Sequence, residues 1–100
     1  MRTELLRFNG TVEWDAAIDV WFAGRTGELG AIAQRWFAVM RECGDEVREL
    51  LHDGQPIACL GDVPFAYVDV FTAHVNVGFF QGAGVVGGVV LRRLILGTGL

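Results

Sequence analysis

The chain has 100 residues, a formal charge of −4 and 52 % apolar residues, which suits one folded domain rather than two small ones or a disordered chain. It contains no Ser and no Lys, and all eight of its positive charges are Arg. Those absences exclude a Ser–His–Asp nucleophile, a lysine Schiff base and a phosphate-binding P-loop, and the acidic balance argues against a nucleic-acid duplex as partner.

The first dozen residues are weakly patterned and suit a short edge strand or an ordered tail. From residue 15 to 23, Ile18, Trp21 and Phe22 recur at three- and four-residue spacing, which predicts a short helix with Asp15 as N-cap and Gly24 as its end. Residues 28–43 predict a longer helix. Its apolar stripe is Leu29, Ile32, Ala33, Trp36, Met40 and Cys43, with Thr26 or Gly27 at the start and Gly44 at the end. Asp45 then caps an expected third helix over residues 46–52, burying Val47, Leu50 and Leu51, and Asp53-Gly54 makes a turn.

After Gly54 the apolar period shortens to two. Residues 56–60 predict a strand, Gly61-Asp62 a turn, and residues 64–71 and 74–80 a hairpin closed by Thr72-Ala73. That loop pairs Phe71 with His74, Val70 with Val75, Asp69 with Asn76, Val68 with Val77, Tyr67 with Gly78, Ala66 with Phe79 and Phe65 with Phe80. One face is then uniformly apolar (Ala66, Val68, Val70, Val75, Val77, Phe79) and belongs against the helices; a slip of one residue would mix the two faces. The other face carries Phe65, Tyr67, Asp69, Phe71, His74, Asn76 and Phe80. It is more aromatic than a sheet face open to water usually is, so a chain segment, a second subunit or a ligand is expected to cover it. Residues 81–100 are glycine-rich, and residues 89–96 suit either a short helix or a strand.

Three constellations bear on function. Gly82-Ala-Gly84-Val-Val-Gly87 matches the dinucleotide fingerprint in letters, but the following 13 residues hold no acid and leave no room for a βαβ unit. Glu46, Glu49, His52 and Asp53 are the candidate metal ligands of an acidic run with Glu42 and Asp45; if that stretch is helical, Glu42 and Glu46, or Asp45, Glu49 and His52, fall near one another and offer carboxylate and imidazole ligands for Fe(II) or Mn(II); the alternative is a solvated face balanced by Arg41 and Arg48. Tyr67, Asp69, His74 and Asn76 form a polar and aromatic patch suited to a small ligand, the alternative being a hairpin corner held by one hydrogen bond. Cys43 and Cys59 lie in neither a C-x-x-C pair nor a disulfide framework, and either would be a nucleophile only beside an imidazole. The longest apolar run, residues 83–91, is too short for a membrane span, which needs about 20 residues. The first ten residues show no apolar core of the length a signal peptide needs, and charges interrupt them. A cytoplasmic protein with no membrane partner is expected.

From Asp15 onward the order of features resembles the bacterial YdhG-like family. The resemblance is carried by Trp36-Phe37, Glu49-Leu-Leu-His-Asp-Gly-Gln-Pro56, Pro64-Phe-Ala-Tyr-Val68, Gly97-Thr-Gly99 and, most specifically, His74-Val-Asn-Val-Gly-Phe-Phe-Gln-Gly-Ala83. It implies an α+β fold: an antiparallel sheet with two or three helices packed mainly on one face. It brings no shared catalytic motif, and it offers a small binding domain with iron as a candidate cargo, because one branch of the family is described as a frataxin-like iron chaperone. The family continues past its Gly-Thr-Gly with a basic residue and a last strand, whereas Leu100 follows here. The chain is therefore expected to be a single domain lacking or altered in that strand, and to compensate for an open sheet edge by forming a homodimer.

Overall fold

The computed structural model describes residues 6–80; the expectations for residues 81–100, including the glycine motif and the last strand, lie outside them. The order of elements is α1 (Ala16–Ala23), α2 (Glu28–Arg41), β1 (Val47–His52), β2 (Gln55–Leu60), β3 (Val63–Val70) and β4 (Val75–Phe79). The four strands form one antiparallel sheet in chain order, and both helices pack on one of its faces. The fold is α+β.

Asp15 starts α1 as expected: its carboxylate accepts from the Ala17 amide at 2.9 Å. The same carboxylate accepts from the Leu51 amide at 3.0 Å, so the cap also fixes α1 to β1. Ile18, Trp21 and Phe22 are the buried side of α1. The stripe of α2 is rotated from the expected one. Gly30, Ala33, Phe37 and Met40 are buried, Trp36 is half-buried, and Ile32 is exposed. Phe37 reaches the centre of the core beside Ile18, Phe65 and Val68, and each such side chain contributes about 1.5–3 kcal/mol on burial.

The expected third helix is a strand. Val47, Glu49 and Leu51 point to the helix side, and Arg48, Leu50 and His52 point away. Asp53 and Gly54, with φ of 50° and 74°, close a two-residue hairpin to β2. Positive φ at both positions matches the right-handed twist of the flanking strands. Trp21 clasps this turn by donating its indole N–H to the Gly54 carbonyl at 2.8 Å.

The β3–β4 hairpin has the expected register from Ala66↔Phe79 to Val70↔Val75, with Phe71 and Phe80 continuing it through bonds to the His74 and Phe65 carbonyls. Ala66, Val68, Val70, Val75, Val77 and Phe79 lie with the helices. Phe65 departs from the expected aromatic face. Between β2 and β3 the register shifts, Cys59 facing Pro64 while Ala58 faces Ala66, so Phe65 is an extra residue on β3. The bulge re-aims its ring into the helix-side core, where it is 1 % exposed.

Residues 8–12 form a strap that reaches the outer edge of β1. Val12 and Glu49 exchange backbone bonds at 3.0 and 2.7 Å. Arg48 donates to the Thr11 carbonyl at 2.7 Å, and the Phe8 amide donates to the Asp62 carbonyl at 2.8 Å. The strap thus covers one edge of the sheet, as edge strands usually require.

Candidate functional site

On the sheet face away from the helices the strand registers set side chains in rows. At the turn-proximal end, His52 on β1 pairs with Gln55 on β2, and Asp69 on β3 pairs with Asn76 on β4. The Gln55 amide donates to an Asp69 oxygen at 3.2 Å and joins the two pairs into one polar row across all four strands. The other Asp69 oxygen accepts from the Val70 amide at 2.8 Å. Beyond this row lies the pair Phe71 and His74, with ring centroids 4.7 Å apart and an interplanar angle of 23°. Both are exposed, Phe71 by 45 %.

On the other side of the polar row are Leu50, Ile57 and Tyr67. Gly78 stands opposite Tyr67, and any side chain there would overlap the Tyr67 ring and hydroxyl. Gly78 therefore lets the phenol lie across β4, where its ring meets Phe80 edge-on at 5.7 Å. Leu50, Ile57 and Cys59 are buried beneath Phe8, Tyr67 and Phe80, and Phe8 also rests on His52 at 4.5 Å between ring centroids. The strap covers part of the face; the row from His52 to Asn76 and the Phe71–His74 pair form its more open end.

Tyr67, Asp69, His74 and Asn76 thus share one face, as the hairpin register required. Gln55 and His52 complete the row: Gln55, one residue before the expected strand, was missed, and His52, expected as a metal ligand on a helix, lies here instead. The Asp53-Gly54 pair between two apolar runs was the signal that could have placed them.

The set Glu46, Glu49, His52 and Asp53 is divided by the strand that replaces the expected helix. Glu46 precedes β1, and its carbonyl accepts from the Gly61 amide at 3.0 Å. Glu49 faces the helices, is 1 % exposed, and is held at 2.6 Å by both Nε and Nη2 of Arg41. His52 lies on the opposite face, 3.3 Å from Asp53. Among the described residues no three His, Cys, Asp or Glu side chains converge to hold a metal ion, and no helix is long and apolar enough to cross a membrane.

The cysteines are placed for structure. Cys43 donates to the Val39 carbonyl at 3.4 Å. Cys59 is fully buried, and burial, aided by the charge of Asp62, pushes its thiol up to about 12; such a thiol is protonated at neutral pH and a poor nucleophile. The unfolded chain loses this proton first. The stability tied to the neutral thiol is therefore complete below about pH 9 and is lost as the pH rises to about 12. Across that window the wild type is expected to lose stability more steeply than Cys59→Ala in urea unfolding. Equal slopes would mean that the thiol ionises as freely in the fold as outside it.

Comparison with protein-family models, with curated proteins and with solved structures finds no match.

Proposed function

We propose that this chain is a small cytoplasmic binding domain that takes a small ligand on the open end of the sheet face opposite its helices. The observation that carries this reading is the polar row His52–Gln55–Asp69–Asn76, set between Tyr67 on one side and the Phe71–His74 pair on the other. A few convergent polar groups among aromatic rings are what a small-molecule site needs for orientation and for contact area. The resemblance to the YdhG-like family carries no catalytic motif over to these residues. Iron handling, which that resemblance implies, finds no support in the separated Glu46, Glu49, His52 and Asp53.

The test is amide chemical-shift mapping with a library of small polar fragments, and separately with a diamagnetic divalent cation as surrogate for Fe(II). Fragments are expected to move the amides of Gln55, Tyr67, Asp69 and Asn76 together. Perturbation confined to the helices would sink the reading. Strong shifts at Glu46 and Asp53 with the cation alone would restore the metal alternative.

A second reading is a homodimer formed through the same face. What favours it is the exposed Phe71–His74 ring pair at the open end of the face, which a second copy would cover. It predicts a melting temperature that rises with protein concentration, which a ligand site alone does not.

A further inference from the structure

We propose that the outer edge of β4 takes a second copy of this chain, strand against strand, so that two sheets join across a two-fold axis at Val77. The two edges of the sheet differ. On β1 the strap holds the edge through Val12, and the strand itself carries Arg48 and Glu49. On β4, among the described residues, nothing pairs with the outer side. The strand also lacks the features that keep an open edge from pairing, which are charges, prolines and bulges. From Val70 to Leu91 the chain holds no Asp, Glu, Lys, Arg or Pro, and the β3–β4 register runs unbroken from Ala66↔Phe79 to Val70↔Val75.

The pattern of the edge is self-complementary. The Phe71 amide donates to the His74 carbonyl and the Phe80 amide to the Phe65 carbonyl, so the even-numbered residues of β4 turn their backbone groups toward β3. Val75, Val77 and Phe79 turn theirs outward. An antiparallel copy centred on Val77 uses all three: Val77 pairs with Val77, Val75 with Phe79 and Phe79 with Val75, each pair exchanging both N–H···O bonds. Such a contact is isologous, the same patch serving both copies. The side chains match as well. Val75, Val77 and Phe79 are half-buried on the helix side, where they join those of the copy in one apolar row. On the open face Asn76 stands opposite Gly78 of the second copy, at about 4.5 Å between Cα atoms as in any non-hydrogen-bonded pair. The Tyr67 phenol lies over Gly78, so the exposed Asn76 carboxamide of each copy meets the Tyr67 hydroxyl of the other. Among the described residues neither of those groups has a hydrogen-bond partner. An unrelated extended peptide makes the same backbone bonds; the carboxamide opposite Tyr67 is what singles out a second copy. The row His52–Gln55–Asp69–Asn76 then continues into Tyr67 of that copy.

This edge contact does not rest on the ligand reading, and fragment mapping leaves it untouched either way. The experiment is sedimentation equilibrium of the full chain up to millimolar concentration, with amide hydrogen exchange on the same samples. A monomer–dimer equilibrium is expected, with the Val75, Val77 and Phe79 amides exchanging more slowly as the concentration rises. Val77→Pro removes an outward N–H and leaves the bonds to β3 in place. Asn76→Lys changes only an exposed side chain and sets like charges across the two-fold axis. Each is expected to weaken the dimer roughly tenfold or more, and Tyr67→Phe to weaken it less. Amide spectra report whether each variant is folded, and Asn76→Lys carries the test if Val77→Pro is not. Phe71→Ala, off the edge, is expected to leave the dimer unchanged. A dimer lost in Phe71→Ala and kept in Val77→Pro and Asn76→Lys is held by the open sheet face, and the inference is overturned. A monomer at every concentration overturns it too. Freely exchanging edge amides then mean an unpaired edge, and amides protected at every dilution mean that another part of this chain holds it.

Discussion

Arg41→Met is expected to destabilise the fold by about 3–5 kcal/mol, because it strands a buried carboxylate. Glu49 is 1 % exposed, and its oxygens are held at 2.6 Å by Arg41 Nε and Nη2 and at 2.9 Å by the Asp15 amide. The arginine is held in turn. Its guanidinium lies 3.6 Å from the centre of the Trp14 ring, and Nη2 is 3.6 Å from Asp19, which accepts from the Trp14 indole at 2.6 Å. Met keeps much of the bulk and removes the charge, so the loss reads the unpaired carboxylate rather than a cavity. Glu49→Gln keeps an acceptor for Asp15 and carries no charge, and is expected to cost less, about 1–3 kcal/mol. The double variant Arg41→Met with Glu49→Leu should recover much of the single loss, since an apolar pair of similar volume often replaces a buried ion pair without penalty. Urea unfolding measures all three. A loss below about 1 kcal/mol for Arg41→Met would reduce the pair to the worth of a surface salt bridge. The expected loss is a large part of the about 5–15 kcal/mol available to a domain of this kind.

The same pair explains what could not be read from the sequence. A strand with one buried face shows itself by alternation, and residues 66–70 and 75–79 alternate cleanly, so every pair of that hairpin and the shared face of Tyr67, Asp69, His74 and Asn76 were legible. In β1 the middle residue of the buried face is Glu49. With a carboxylate where an apolar residue belongs, Val47, Leu50 and Leu51 look helical. The partner that makes a buried carboxylate tolerable, Arg41, comes from another element, and no local pattern announces it. That misreading gave His52 the wrong partners, placing it with Glu46, Glu49 and Asp53 on a helix that does not form. Phe65 was lost for a different reason. A bulge changes the face of a residue without changing its neighbours in sequence. The cover supplied by Phe8 depends on a contact 44 positions along the chain, at His52.

Gly30→Ala is expected to destabilise the protein by about 1–3 kcal/mol, the reverse of its usual effect. In a helix, alanine is ordinarily favoured over glycine by about 1 kcal/mol. At Gly30, however, a Cβ would overlap the backbone carbonyl oxygen of Arg25 and lie 2.8 Å from its carbonyl carbon. Those atoms have little freedom to retreat. The Arg25 amide donates to the Phe22 carbonyl at 3.0 Å, its guanidinium donates to the Trp21 carbonyl at 3.0 Å, and the same guanidinium sits 3.8 Å over the Trp21 ring. Trp21 is itself tied to the Gly54 carbonyl. The strain must therefore move α2, which carries Phe37 and Met40 into the core and packs against β3 and β4. Ala31→Gly, at an exposed position of the same helix, supplies the scale: it should cost about 1 kcal/mol by propensity alone. A higher melting temperature for Gly30→Ala than for the wild type would show that the Arg25 loop yields freely. A lower one, with amide shifts spreading from α2 into β4, would show that the glycine is there because two backbones meet, and that the helix which breaks its own propensity at residue 30 does so to sit against the back of the sheet that presents Asp69 and Asn76.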